Sequence, residues 1–276
     1  MKNVIFWILA IVITLSAAVY QRMTGPTYPL DVKTELAGDT FKFELLRSHE
    51  GDTDCPVIIP ADTTVEGTLF FKRFPTADDW SAVEMHHTGE NLEGYLPNQP
   101  PAGKIAYYIQ LRKDNQFVEI GKDTPVVTRF KAPVPESVLL PHIFLMFFAM
   151  LISTLAGIYA IAKHHLFRVY SFIAFGLLFA GGMIFGPIVQ KFAFGEYWTG
   201  IPFGWDLTDN KTLIAVIFWA IAVFFNRKKE SAKAGYTILA AIILLAIYSI
   251  PHSMFGSEFN YETGEVIQGF ISHFIL

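Results

Sequence analysis

The chain has 276 residues, 52% of them hydrophobic and 17% charged, with 26 Phe and a formal net charge of -4. That is too apolar for a soluble domain of this length and points to a membrane protein with one polar portion. The small negative charge argues against nucleic acid as a partner, and a single cysteine, Cys55, excludes an internal disulfide, a CxxC redox pair and a Cys-rich metal site.

Residues 4–20, "VIFWILAIVITLSAAVY", are apolar throughout, with Lys2 the only charge before them. The small residues Ser16, Ala17 and Ala18 would suit a signal peptide. At about 1.5 Å per residue the stretch just crosses a hydrocarbon core, so residues 1–27 are read as a retained membrane anchor.

From 28 to 134 the texture changes. "FKFELL", "GTLFFKRF", "GKIAYYIQLR" and "PVVTRFK" cluster or alternate β-branched and aromatic residues between turn signals. "KDNQ" (113–116) reads as a hairpin turn, because Asp and Asn tolerate positive φ. Short strands over such a length predict an exported antiparallel β-sandwich. The "GKIAYYIQL" strand resembles the penultimate strand of fibronectin type III and immunoglobulin-like modules, with Tyr107 or Tyr108 in the place of a tyrosine-corner residue. Cys55, isolated in "DTDCP", reads as a small packed residue.

Four further apolar segments follow, at 138–162, 169–190, 212–226 and 235–250, within a bundle bounded by 135 and 250. None shows an acidic or basic residue in its span, which argues against ion-coupled transport. "KHHLFR" (163–168) and "RKKESAK" (227–233) carry most of the Lys and Arg of this half, and none occurs after Lys233. The positive-inside rule then puts both connectors and the N-terminus in the cytoplasm. The β domain, the 191–211 loop and the tail 251–276 fall outside, which in a bacterial inner membrane means the periplasm. In the tail, Ile267, Phe270, Ile271 and Phe274 recur at helical spacing and predict an interfacial helix, or else a short re-entrant segment.

On that topology His142 (after Pro141), His252 (after Pro251) and the loop "FGEYWTGIPFGWDLTDNK" share one depth at the outer membrane face. The arrangement resembles the tryptophan-rich (WWD) haem-handling membrane proteins of cytochrome c maturation, whose outward G-x-Y/W-W-x-W-D loop precedes a span. Gly195, Tyr197 and Trp198 match the first half of that loop and Trp205 with Asp206 its end, with "TGIPFG" inserted between them. The resemblance implies a haem platform of Tyr197, Trp198 and Trp205. It also implies iron ligation by His142 and His252, the latter in "PHSMFG".

Elementary chemistry is compatible with this. Neutral imidazoles ligate iron, aromatic rings stack on haem, and Trp N–H groups or Lys211 suit propionates. Asp206 could orient an imidazole. Simpler roles exist for the same residues. Thr208, Asp209 and Asn210 are natural N-caps, the aromatics suit an interfacial belt, and a histidine at a span end is often only interfacial. His86-His87 would point to opposite faces of a strand, His164-His165 suit lipid headgroups, and Gly182 to Gly186 is a small-xxx-small packing signal. No recognisable nucleophile supports an enzyme. The expectation is therefore a membrane protein that binds or handles haem at the outer membrane face in cytochrome assembly, or else a non-catalytic scaffold or accessory subunit whose β-sandwich docks an envelope partner.

Overall fold

The computed structural model describes residues 2–251 and 256–268, which fall into two compact units. The helical unit holds the residues before Thr27 and those from Val134 to Gly256. Its helices are α1 (Lys2–Met23), α2 (Glu136–Ile161), α3 (Phe167–Phe179), α4 (Gly186–Phe194), α5 (Leu207–Phe225) and α6 (Ala234–Ser249). α3 runs into α4 through a π-helical segment, Ala180–Phe185. Among the described residues four helices are long and apolar enough to cross a membrane, namely Lys2–Met23, Glu136–Ile161, Phe167–Phe194 and Leu207–Phe225, and α6 is a shorter apolar helix.

Close approach in this unit rests on small residues. A Cβ added at Gly157 would lie 2.8 Å from Ala241 Cβ, one at Gly181 2.9 Å from Met146 Sδ, and one at Gly182 2.7 Å from Thr212 Cγ2. The tight contacts therefore sit at Gly181 and Gly182, whereas Gly186 has ordinary room. α1 packs through edge-on aromatic pairs, Phe6 with Tyr159 at 5.6 Å and Trp7 with Tyr170 at 6.1 Å.

One expectation is corrected here. The sequence predicts the span before the final one at 212–226, clear of charge, but α5 begins at Leu207 because Asp206 caps it. Asp209 and Lys211 consequently lie inside the helix and are buried, and Lys191 lies in α4. The polar run looked like a connector because N-terminal caps and first-turn acids have the composition of loops.

The β unit comprises Thr27–Pro133 and Ser257–Ile267. Its strands are β1 (Leu30–Leu36), β2 (Asp39–Leu45), β3 (Ser48–Glu50), β4 (Cys55–Pro60), β5 (Glu66–Phe74), β6 (Ser81–Glu84) and β7 (His86–Thr88). β8 (Asn91–Leu96), β9 (Lys104–Lys113), β10 (Gln116–Ile120), β11 (Val126–Lys131), β12 (Ser257–Phe259) and β13 (Val266–Gln268) complete it. The largest sheet has the order β3-β11-β9-β5-β6, with β10 also on β9; β4-β8-β7 form a second sheet and β1-β2 a hairpin. Alternation decides the inner face: in β2, Phe41, Phe43 and Leu45 are buried while Thr40, Lys42 and Glu44 are exposed. These side chains join Ile59, Leu69, Leu92, Ile109 and Phe130 in one core.

The turn at 113–116 is as the sequence predicts: Asp114 and Asn115 have φ of 49° and 62°, and Lys113 pairs with Gln116. The tyrosine corner is not found. Tyr107 is buried and its hydroxyl donates to the Leu46 carbonyl (3.2 Å), far upstream, which Thr128 Oγ1 also reaches at 2.7 Å. It ties β9 to the end of β2, whereas a corner residue bonds a few residues upstream. Tyr108 instead stacks on Phe70 at 4.6 Å.

Cys55 is fully buried, and burial pushes its thiol up to about 12. It should therefore resist maleimide in the folded protein and react once denatured.

The C-terminal tail also departs from expectation. Ile267 lies in β13, a strand, and β12 and β13 form a hairpin that belongs to the β unit. The Phe259 N–H donates to the Ala102 carbonyl (3.2 Å), Arg129 Nη2 to the Ser257 carbonyl (2.6 Å), and Lys104 pairs with Glu258. Lys104 N–H and the Tyr261 hydroxyl bond at 3.0 Å. Ser257–Phe259 is a three-residue strand, too short to show a period against the helical spacing of the later residues. Phe270, Ile271 and Phe274 lie outside the described residues.

Candidate functional site

The candidate residues gather at the end of the helical unit where α4 and α6 finish and α5 begins. α4 ends at Gly195, whose φ of 89° lets the chain leave in a left-handed turn, with its N–H on the Lys191 carbonyl at 3.0 Å. Lys191 Nζ reaches the Gly195 carbonyl and lies 5.3 Å over the Tyr197 ring.

The chain then folds back onto the start of α5. Asp209 Oδ2 accepts the Thr199 N–H at 2.7 Å and its hydroxyl at 3.2 Å, and Gln190 Nε2 donates to that hydroxyl oxygen at 2.7 Å. Asn210 Oδ1 accepts the Ile201 N–H at 2.8 Å, and the Asp206 N–H donates to the Thr199 carbonyl at 3.0 Å. Gly200 is required by this approach, because a Cβ there would lie 2.7 Å from Asp209 Cβ and 2.8 Å from Asn210 Oδ1. Asp206 Oδ1 accepts from the N–H groups of Thr208 (2.8 Å) and Asp209 (3.2 Å), which makes it the N-cap.

Buried charge completes the site. Asp206 is 4% exposed, Asp209 7% and Lys211 5%. Lys211 Nζ donates to the Ile250 carbonyl at 2.8 Å and the Pro251 carbonyl at 3.4 Å, which are acceptors left open where α6 ends. Gln21, at the end of α1, reaches the same Ile250 carbonyl at 3.4 Å.

The aromatic residues divide. Trp198 is half-buried, and its indole N–H donates to the Ile201 carbonyl at 3.1 Å. Phe203 is 79% exposed and Trp205 76%, and Tyr197 is also exposed.

His142 lies in α2, half-buried, with Nδ1 2.9 Å from the Gly181 carbonyl. A carbonyl only accepts, so Nδ1 carries the proton and Nε2 of the neutral ring keeps its lone pair. The same Gly181 carbonyl takes the Gly186 N–H across the π-helical turn, so the widened helix presents it to α2. His252 lies outside the described residues.

The sequence points to the loop, His142, Asn210 and Lys211, but Thr199, Gly200 and Gln190 are absent from that reading, and Asn210 and Lys211 have other partners than it gives them. Lys211 carried a signal, since a lysine so close to an apolar run is costly unless partnered. The Thr199–Asp209 contact carried none, because it exists only once the loop folds back.

Elsewhere, His87 Nε2 bonds the Val65 carbonyl at 2.8 Å, and the neighbouring His86 pairs across to Glu93. Among the described residues no group of three or more His, Cys, Asp or Glu is placed to hold a metal ion. No family model, curated protein or solved structure matches the chain.

Proposed function

We propose that this chain is a non-catalytic membrane scaffold or accessory subunit whose β unit docks an envelope protein. The observation that carries the reading is the use of the loop's polar groups. Thr199, Asp209, Asn210 and the Trp198 indole are turned onto the loop and α5. Such a loop is organised as a rigid part. Exposed Tyr95 and Phe117 on the β unit are the kind of side chain that anchors an interface.

We read the β unit as immunoglobulin-like. The parallel pairing of β3 with β11 and the position of β9 between β5 and β11 support that reading. The orientation follows the charge: N-terminus and basic connectors in the cytoplasm, β unit in the periplasm of a bacterial inner membrane. Because Cys55 is inert, single cysteines report cleanly. Asn115→Cys should label with a membrane-impermeant maleimide in spheroplasts, and Ser231→Cys only after permeabilisation. The reverse pattern would invert the topology.

Docking is tested by what co-purifies with the whole chain and with a form lacking both 27–133 and 257–267. A stoichiometric partner lost with the β unit supports it, and undiminished recovery opposes it.

A second reading, haem binding for cytochrome assembly as in the tryptophan-rich proteins, is favoured by one observation: the Nδ1–H bond of His142, which orients a ligating imidazole. The fit is partial. Asp206 Oδ1 is engaged as the cap of α5, and the Trp198 N–H is already bonded. Bound haem would supply redox or transfer chemistry, and His142 with His252 would hold it. On this reading the purified protein acquires a Soret band with haemin, weakened by His142→Ala and by His252→Ala. A band indifferent to both substitutions removes the ligand assignment.

A further inference from the structure

We infer that the opposite end of the helical unit, where the α2–α3 and α5–α6 connectors meet, is a binding site for anionic phospholipid headgroups. The connectors are distant in sequence, and Arg168 joins them. Its Nε donates to the Asn226 carbonyl at 2.6 Å and its Nη2 to the Arg227 carbonyl at 2.5 Å, capping the end of α5. Buried Asn226 locks the turn: Nδ2 donates to Thr237 Oγ1 at 3.1 Å and Oδ1 accepts the Lys233 N–H at 2.7 Å. Ser171 and Thr237 share a further bond at 2.9 Å.

This framework holds Arg227 and Lys233 beside Arg168, with Lys228 and Lys229 in the turn between them; all four connector cations are exposed, and Glu230 is the only acid in either connector. Among the described residues none of these cations is ion-paired with a carboxylate. Their repulsion is relieved by anions from outside.

The surroundings select a lipid over a free anion. Arg227 Cζ lies 4.1 Å over the exposed Phe224 ring, Lys233 Nζ 5.8 Å over Phe225, and Arg168 Cζ 5.4 Å over Phe172. Cations therefore sit directly on apolar rings at the ends of apolar helices. A phosphate meeting the cations would lay its acyl chains along those rings. The inference depends on the apolar helices lying in a bilayer and is independent of the docking reading.

The test is native mass spectrometry of the full-length protein released from micelles containing phosphatidylglycerol and excess phosphatidylcholine. Wild-type protein should retain phosphatidylglycerol selectively. The triple variant Lys228→Gln, Lys229→Gln, Lys233→Gln should lose that retention by about tenfold or more. Lys33→Gln with Lys42→Gln, which removes exposed charge from the β unit, should not. Helicity by circular dichroism verifies that the variants fold, and every substituted residue is exposed. Equal retention of phosphatidylcholine, an unaffected triple variant, or displacement of phosphatidylglycerol by inorganic phosphate would each overturn the inference.

Discussion

Gly182→Leu should be among the most damaging single substitutions in the helical unit. The first side-chain carbon alone would lie 2.7 Å from Thr212 Cγ2. Thr212 has little freedom to turn aside, because its hydroxyl donates to the Thr208 carbonyl at 2.9 Å. α5 must therefore move away from the π-helical segment, and overpacking of this kind costs about 3 kcal/mol. Gly176 is the matched control: it lies in α3 with nothing within 4 Å of an added Cβ. There Gly176→Leu should be tolerated or stabilising by up to about 1 kcal/mol, because glycine is a poor helix former. Thermal loss of helicity in detergent compares the two, and equal melting temperatures would contradict the packing described.

Asp209→Ala should release the aromatic loop. The substitution leaves the Thr199 N–H without its acceptor in a site that is 7% exposed at residue 209. An orphaned donor costs about 1–3 kcal/mol, so the amides of Thr199 and Ile201 should exchange with deuterium about tenfold to a hundredfold faster. Asp209→Asn keeps one acceptor oxygen and should be milder. Asn210→Ala, which removes only the bond to the Ile201 N–H, should affect that amide most. If Asp209→Ala leaves exchange in 195–206 unchanged, the loop is held by something other than the start of α5.

What the sequence reveals and what it hides divide along physical lines. Local rules were legible. "KDNQ" forms its turn because Asp114 and Asn115 accept positive φ, and "DTFKFEL" alternates because its strand has one wet face. The apolar runs announce helices because nothing else buries that many large side chains in succession. Boundaries and long-range contacts were not legible. A cap such as Asp206 has the composition of a loop, so the start of α5 slipped and two buried charges were taken for connector residues. The π-helical turn that aims Gly181 at His142 has no local signature. The C-terminal hairpin failed for a different reason: its strands are short, and what fixes them is pairing with Ala102, Lys104 and Arg129, all far away in sequence.

The same division explains the site. Tyr197, Trp198, Trp205 and Asp206 could be named from type and spacing, but their roles depended on what they touch. Asp206 has the position expected of a haem-family acid and serves as an N-cap. Trp198 has the position of a platform residue and closes a short turn. His142 hydrogen-bonds the Gly181 carbonyl through Nδ1, a contact that its place after Pro141 does not announce.

The docking claim is tested most directly by photocrosslinking in cells, with a photoreactive phenylalanine analogue placed in turn at Tyr95, Phe117 and Ser231 of the full-length chain. Tyr95 and Phe117 are exposed on the β unit, and Ser231 lies in the basic connector. The expected result is a discrete adduct of one envelope protein from position 95 or 117 and none of that protein from 231. No adduct above background at either β-unit position, in cells where the chain is expressed and inserted, would contradict the claim.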